Sequence, residues 1–117
     1  MQRRHRLSRS RDFDAVYRQG RSVSTRYLVL YSFAREEDGA AGEPRLGLAV
    51  PKAAGNAVTR NRIKRQLREL WSERLGRVVP GRDYVLIVRP GLPEASEAQG
   101  SAWLAEKVDE VLAKAAA

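Results

Sequence analysis

Asn56–Leu75 reads NAVTRNRIKRQLRELWSERL, and two patterns overlaid in it set what the rest of the chain must do. Apolar residues recur at Ile63, Leu67, Leu70, Trp71 and Leu75, the spacing of one face of an amphipathic helix. Between Arg60 and Arg68 stand Arg60, Arg62, Lys64, Arg65 and Arg68, with no acid among them. At about 100° per residue, Arg60, Lys64 and Arg68 form a row beside the apolar stripe, and Asn61 and Arg65 continue it outward. Like charges at i, i+4 cost roughly 0.2–0.5 kcal/mol per pair in an isolated helix. The ordinary explanation of a basic helix is a solvated face of mixed charge. Here acids return only at Glu69 and Glu73, so a polyanionic partner explains the face better.

The remainder of the chain fits such a partner. Its 117 residues suffice for one domain, 1–117, with a single core. A net charge of +8, from 22 Lys plus Arg against 14 acids, points to RNA, DNA or, less well, an anionic membrane surface. Arginine dominates the cations, and its planar fork suits phosphate better than the point charge of lysine. The absence of cysteine excludes disulfides, thiolate zinc sites and thiol catalysis. No apolar run reaches the length of a membrane span, and no signal-peptide stretch follows the basic N-terminus. The expectation is a soluble, cytoplasmic protein.

Taken in order, Met1–Arg11 carries Arg3, Arg4, Arg6, Arg9 and Arg11 with the only histidine, His5. Residues 1–9 read as a flexible basic arm that orders on binding nucleic acid. A short helix follows, capped by Ser10, with Asp12 in its first turn and Gly20 at its end. Phe13, Val16 and Tyr17 share one face of it, which by itself reads as core packing. Thr25–Ala34 is a strand with Tyr27, Val29, Tyr31 and Phe33 on one face and Leu28 and Leu30 on the other. Two apolar faces make it an inner strand, or one with a face kept for a ligand.

Arg35–Pro44 is an acidic, Gly-bearing loop, which suits an antiparallel hairpin into a second strand, Arg45–Val50. Gly47 within that strand marks a close approach to the backbone. Asn56 caps the arginine-rich helix, Gly76 stops it, and Pro80–Gly81 turn the chain. Asp83–Arg89 is a buried third strand, joined to Arg45–Val50 by a parallel crossover. After a turn at Pro90–Pro93, Glu97–Lys114 forms a last helix that packs through Leu104, Val108, Val111 and Leu112, with Ala115–Ala117 as a frayed end.

No protein-borne active site is legible. One histidine in a basic tail cannot supply an acid–base pair, and no metal-ligand spacing exists. Gly42 to Gly47 is interrupted by Pro44 and lacks the Lys–Ser/Thr of a phosphate loop. Arginine rows hold phosphates and aromatic faces stack unpaired bases, so the combination fits single-stranded or structured RNA better than duplex DNA.

N-A-V-x-R-N-R-I-K-R followed by R-E-L, at Asn56–Leu70, resembles the signature of the bacterial ribonuclease P protein subunit. The likeness extends through S-R-D-F-D-A-V-Y-R-Q-G, R-Y-L-V-L-Y, L-G-L-A-V-P-K and D-Y-V-L-I-V-R-P. It implies an α+β fold, an α-β-β-β-α-β-α sandwich like a ribosomal-protein domain, with a left-handed crossover where the usual handedness is right. Periodicity marks only three strands, and Arg21–Ser24 is the stretch left for the fourth.

The resemblance also implies that catalysis belongs to a large RNA subunit using Mg²⁺ to remove the 5′ leader of precursor tRNA. The protein would hold no metal and no catalytic residue. Its partners would be that RNA and precursor tRNA, with no membrane and no duplex DNA. By match, Arg60, Asn61, Arg62, Lys64, Arg65 and Arg68 are the RNA-facing set. Phe13, Tyr17 and Tyr31 take the positions of a leader-binding cleft, with Lys52 on the approach to the helix. Ala53 departs from the family, which often has a second lysine there. A structural RNA-binding protein outside any cleavage reaction and a stand-alone metal-dependent nuclease are the competing readings. The first would be indifferent to leader length; the second lacks converging carboxylates.

Overall fold

The computed structural model describes residues 6–7, 10–34, 44–79 and 81–116. Among these residues four strands form one sheet in the order β1-β2-β4-β3: β1 Arg21–Ser24, β2 Leu28–Ala34, β3 Arg45–Ala49 and β4 Arg82–Val88. β1 and β4 both run antiparallel to β2, while β3 runs parallel to β4. The helices are α1 Ser10–Gln19, α2 Ala57–Ser72, α3 Leu92–Gln99 and α4 Ser101–Ala116. No described helix is long and apolar enough to cross a membrane.

The expected hairpin between the first and second apolar strands, now β2 and β3, does not form. β4 lies between β2 and β3, with Leu30 opposite Leu86 and Leu86 opposite Leu48. The reason is burial: β4 is the most continuously apolar strand, and only a central position covers both its faces. The residues joining β2 to β3 in that expectation, 35–43, lie outside the described set, as do 1–5, 8–9, Pro80 and Ala117. Arg21–Ser24 is indeed the fourth strand, too short and too polar to show a period.

The alternation in β2 sorts the molecule into two sides. Leu28 and Leu30 join Leu46, Leu86 and Val88 under α2, α3 and α4, with Ile63, Leu67 and Trp71 of α2 buried against them. Trp71 is fully enclosed and meets Tyr84 edge-on at 5.3 Å, so Trp71→Ala would cost about 3–5 kcal/mol. On the other side Val85 packs with Val16 of α1 and Leu7, flanked by Tyr31, Phe33 and Ile87. Tyr27 departs from the alternation read in sequence: it precedes β2 and packs on the α4 side, 5.0 Å from Trp103.

The C-terminal region is two helices rather than one. Gly100, with φ of 97°, breaks the run, a conformation that a side chain disfavours. Helix α3 starts earlier than expected because Pro93 sits in its first turn, where a missing N–H costs nothing. Helix α4 continues through Ala116, so Ala115 and Ala116 are helical. Helix α2 ends at Ser72, four residues short of Gly76, and a tight turn at Leu75–Arg77 follows. There Arg74 Nε donates to Asp109 Oδ1 at 2.5 Å and Arg77 Nη1 to the same oxygen at 2.6 Å. Asp109 thus ties the turn that follows α2 to α4. These bonds, that from Arg74 above all, hold its carboxyl below the usual range.

Candidate nucleic-acid interface

Helix α2 begins as its sequence requires. Asn56 Oδ1 accepts from the Thr59 amide at 2.9 Å, and Gly55 before it takes φ of 145°. Arg60 turns back, its Nε donating to the Gly55 carbonyl at 3.1 Å, so this arginine braces the helix start as well as bearing charge. Asn61 and Arg65 are exposed, and Lys64 and Arg68 are half-buried along one flank of the apolar stripe. Arg62 stands apart from them. It lines a cleft with Pro93, Ser96 and Glu97 on the flank facing α3.

The N-terminal segment docks on the edge strand β3, near enough to α2 for Arg6 to act on Arg68. Leu7 N donates to the Leu46 carbonyl at 2.8 Å, Arg6 forms a parallel bridge with Leu46, and Leu7 is buried against Val85 and Val16. Burial and then the charge of Arg6 lower the affinity of the Arg68 guanidinium for its proton, so the two cations share one neighbourhood. The sequence signalled the basic arm but not this anchor. Its clue was Leu7, the one large apolar residue among the arginines after Met1.

On the opposite side of the sheet, three aromatic side chains converge. Phe13 and Tyr17 lie 6.4 Å apart, and Tyr17 meets Tyr31 edge-on at 5.2 Å. Gly47 is the floor beneath Phe13: a Cβ there would stand 2.4 Å from the ring, which explains the close approach marked by this glycine. Tyr17 is 40% exposed although its neighbours are apolar. Desolvation, then Tyr31 and Asp14, push its phenol up, so it stays a neutral hydrogen-bonding ring at physiological pH. Next to Tyr31, the row Val29–Ile87–Ala49 is only half-buried. Lys52 is exposed three residues beyond Ala49, in the tight turn Lys52–Ala54 that leads to α2.

Two devices hold α1 over this floor. Val16 is fully buried at the centre of the helix. At its start, Arg45 donates to Asp83 from Nε at 2.8 Å and Nη2 at 2.7 Å, and its Nη1 lies 3.6 Å from Asp12 of α1. Asp83 is 2% exposed, and Arg45 is its register partner in the parallel ladder. An acid opening an apolar strand and an arginine opening its neighbour were the sequence signals for this pair. Asp83→Ala is expected to lower stability by about 3 kcal/mol, the lower end for breaking a buried ion pair, because Arg45 keeps some solvent access. A urea midpoint equal to that of the parent chain would show that the pair holds nothing.

Among the described residues no three acid or imidazole side chains gather where they could hold a metal ion. A cation-rich helix on one side of β3 and an aromatic cluster on the other give an α+β protein whose surfaces suit RNA. Comparison with known proteins narrows the class. The family model described as Ribonuclease P matches residues 1–116. The chain is 39% identical to the Geobacillus thermodenitrificans ribonuclease P protein component over 101 residues, covering 85% of this chain and 79% of that one. Among solved structures, the Staphylococcus aureus RNase P protein matches with TM-score 0.83 and 30% identity, over 95% of this chain and 94% of that chain. The Thermotoga maritima RNase P protein matches with TM-score 0.81 and 31% identity, over 93% and 96% respectively. The chain belongs to the ribonuclease P protein family.

Proposed function

We propose that this chain is the RNA-binding subunit of a ribonucleoprotein endoribonuclease that removes the 5′ leader from precursor tRNA, with catalysis and Mg²⁺ left to an RNA subunit. One observation carries the reading: two unlike RNA-type surfaces meet at β3. On one side Arg6, bridged to Leu46 of β3, lies close enough to Arg68 of α2 to act on its charge; on the other Phe13 lies on Gly47 of the same strand. The α2 face, through Lys64, Arg65 and Arg68 with Arg60, Asn61 and Arg62 around them, suits the phosphates of a folded RNA. The aromatic cleft of Phe13, Tyr17 and Tyr31 suits an unpaired strand, whose bases stack on rings, with Lys52 at its lip for a phosphate. A protein joining both would hold a folded RNA and a single-stranded leader in one complex. Neutralised phosphates also let the RNA bind Mg²⁺ at lower concentration. A bacterial cytoplasm is the compartment in which these partners meet.

Leader dependence tests this reading. With the chain assembled on a bacterial ribonuclease P RNA, Tyr17→Ala is expected to weaken binding of leader-bearing precursor tRNA about tenfold, roughly 1.4 kcal/mol of stacking, and mature tRNA not at all. Tyr31→Ala acts in the same direction. Equal losses for both RNAs would return these rings to a packing role and favour a structural RNA-binding protein.

A further inference from the structure

A second group of cations lies away from α2. Between the C-terminal end of α4 and the segment Arg77–Val79 opens a groove of about 500 Å³, and among the described residues Arg21, Arg77, Arg82 and Lys114 line it with no carboxylate. Two of the four are committed: Arg77 to Asp109, and Lys114 to the Ser24 carbonyl, to which its Nζ donates at 2.6 Å. Among the described residues the side chains of Arg21 and Arg82 have no ion-pair or hydrogen-bond partner. Apolar side chains, among them Val23, Leu30 and Leu112, share the rest of the lining with Ser22, Ser32 and Tyr84, and Val79, 52% exposed, stands at the rim.

Two guanidiniums without a described partner, beside a lining part apolar and part polar, call for an occupant that is anionic and also has a flat, partly apolar body. A nucleotide of an RNA strand meets both needs: guanidinium forks match phosphate oxygens, and the ribose and base cover the floor. The sheet order puts β1, which carries Arg21, and β3, which borders the arginine-rich helix, at opposite edges. A strand seated here is therefore separate from RNA held along Arg68. We propose that this groove is a second RNA-backbone site, taking one or two nucleotides and letting the protein clasp RNA from both sheet edges. The proposal rests on the assembly with RNA argued above.

The lack of cysteine allows a direct test. Val79→Cys and, separately, Val58→Cys at the exposed start of α2 would each carry a thiol-linked photo-crosslinker. Each labelled chain is then irradiated in complex with a bacterial ribonuclease P RNA and a leader-bearing precursor tRNA. Crosslinking to RNA from both positions is expected. RNA crosslinks from position 58 alone would overturn the groove while leaving the main reading intact; crosslinks from neither would remove both. Crosslinks from position 79 to a second copy of the chain would replace the groove's RNA with a protein interface. In the same complex, Arg21→Gln with Arg82→Gln should make the plot of log affinity against log salt shallower by about 1.4, two phosphates at ~0.7 each. An unchanged slope would contradict the proposal.

Discussion

Combining Lys64→Gln, Arg65→Gln and Arg68→Gln is expected to weaken RNA binding about a hundredfold near physiological salt and to make the salt slope shallower by about two units. Each cation that neutralises a phosphate releases condensed counterions, so three lost cations remove most of three such terms. Among the described residues the side chains of these three have no hydrogen-bond or ion-pair partner. Arg60 is left in place, since it braces the Gly55 carbonyl. Folding should be unaffected, because Ile63, Leu67 and Trp71 carry the packing of α2 and the variant removes like-charge neighbours. Filter binding across a salt series, with a thermal melt alongside, checks both halves. An unchanged slope would mean that RNA meets some other surface.

Gly20→Ala is expected to have the largest effect on the fold itself, about 3 kcal/mol or a fall of roughly 10 °C in melting temperature. A Cβ at this position would lie 2.4 Å from the Val16 carbonyl oxygen and 2.6 Å from that of Ser32. Both atoms are backbone, one in α1 and one in β2, so no side chain can move aside. The end of α1 would have to lift from the sheet, carrying Tyr17 away from Tyr31. Loss of leader discrimination should therefore accompany the fall in stability. A melt within a degree of the parent chain would show that the α1–β2 contact is loose.

The parts legible in the sequence were those that repeat. Helix α2 showed itself through Ile63, Leu67 and Trp71, its cap through Asn56, and the inner position of β2 through its two apolar faces. Gly47 was legible as a close approach, though not that Phe13 would be the group approaching. The order of strands was not, because the hairpin inferred from the loop after β2 is a local rule, whereas burying both faces of β4 is a global demand. Gly100 was passed over because the apolar stripe of α4 begins only after it. Contacts distant in sequence left the faintest traces: Leu7 on the β3 edge, Arg45 with Asp83, and Arg74 with Asp109. Within the candidate interface, helical spacing placed Lys64, Arg65 and Arg68 together, but only the packing of α3 shows that Arg62 faces another way. The aromatic site needed the family resemblance, since Phe13, Val16 and Tyr17 at helical spacing read equally well as core. Val16 is core, and Tyr17 is exposed enough to stack.

The most direct measurement is cleavage of a precursor tRNA by a bacterial ribonuclease P RNA at limiting Mg²⁺, with and without this chain. The chain alone is expected to be inert, and adding it to the RNA is expected to restore cutting at the mature 5′ end. Binding without any gain in cleavage would contradict this, as would cleavage by the chain with no RNA subunit present.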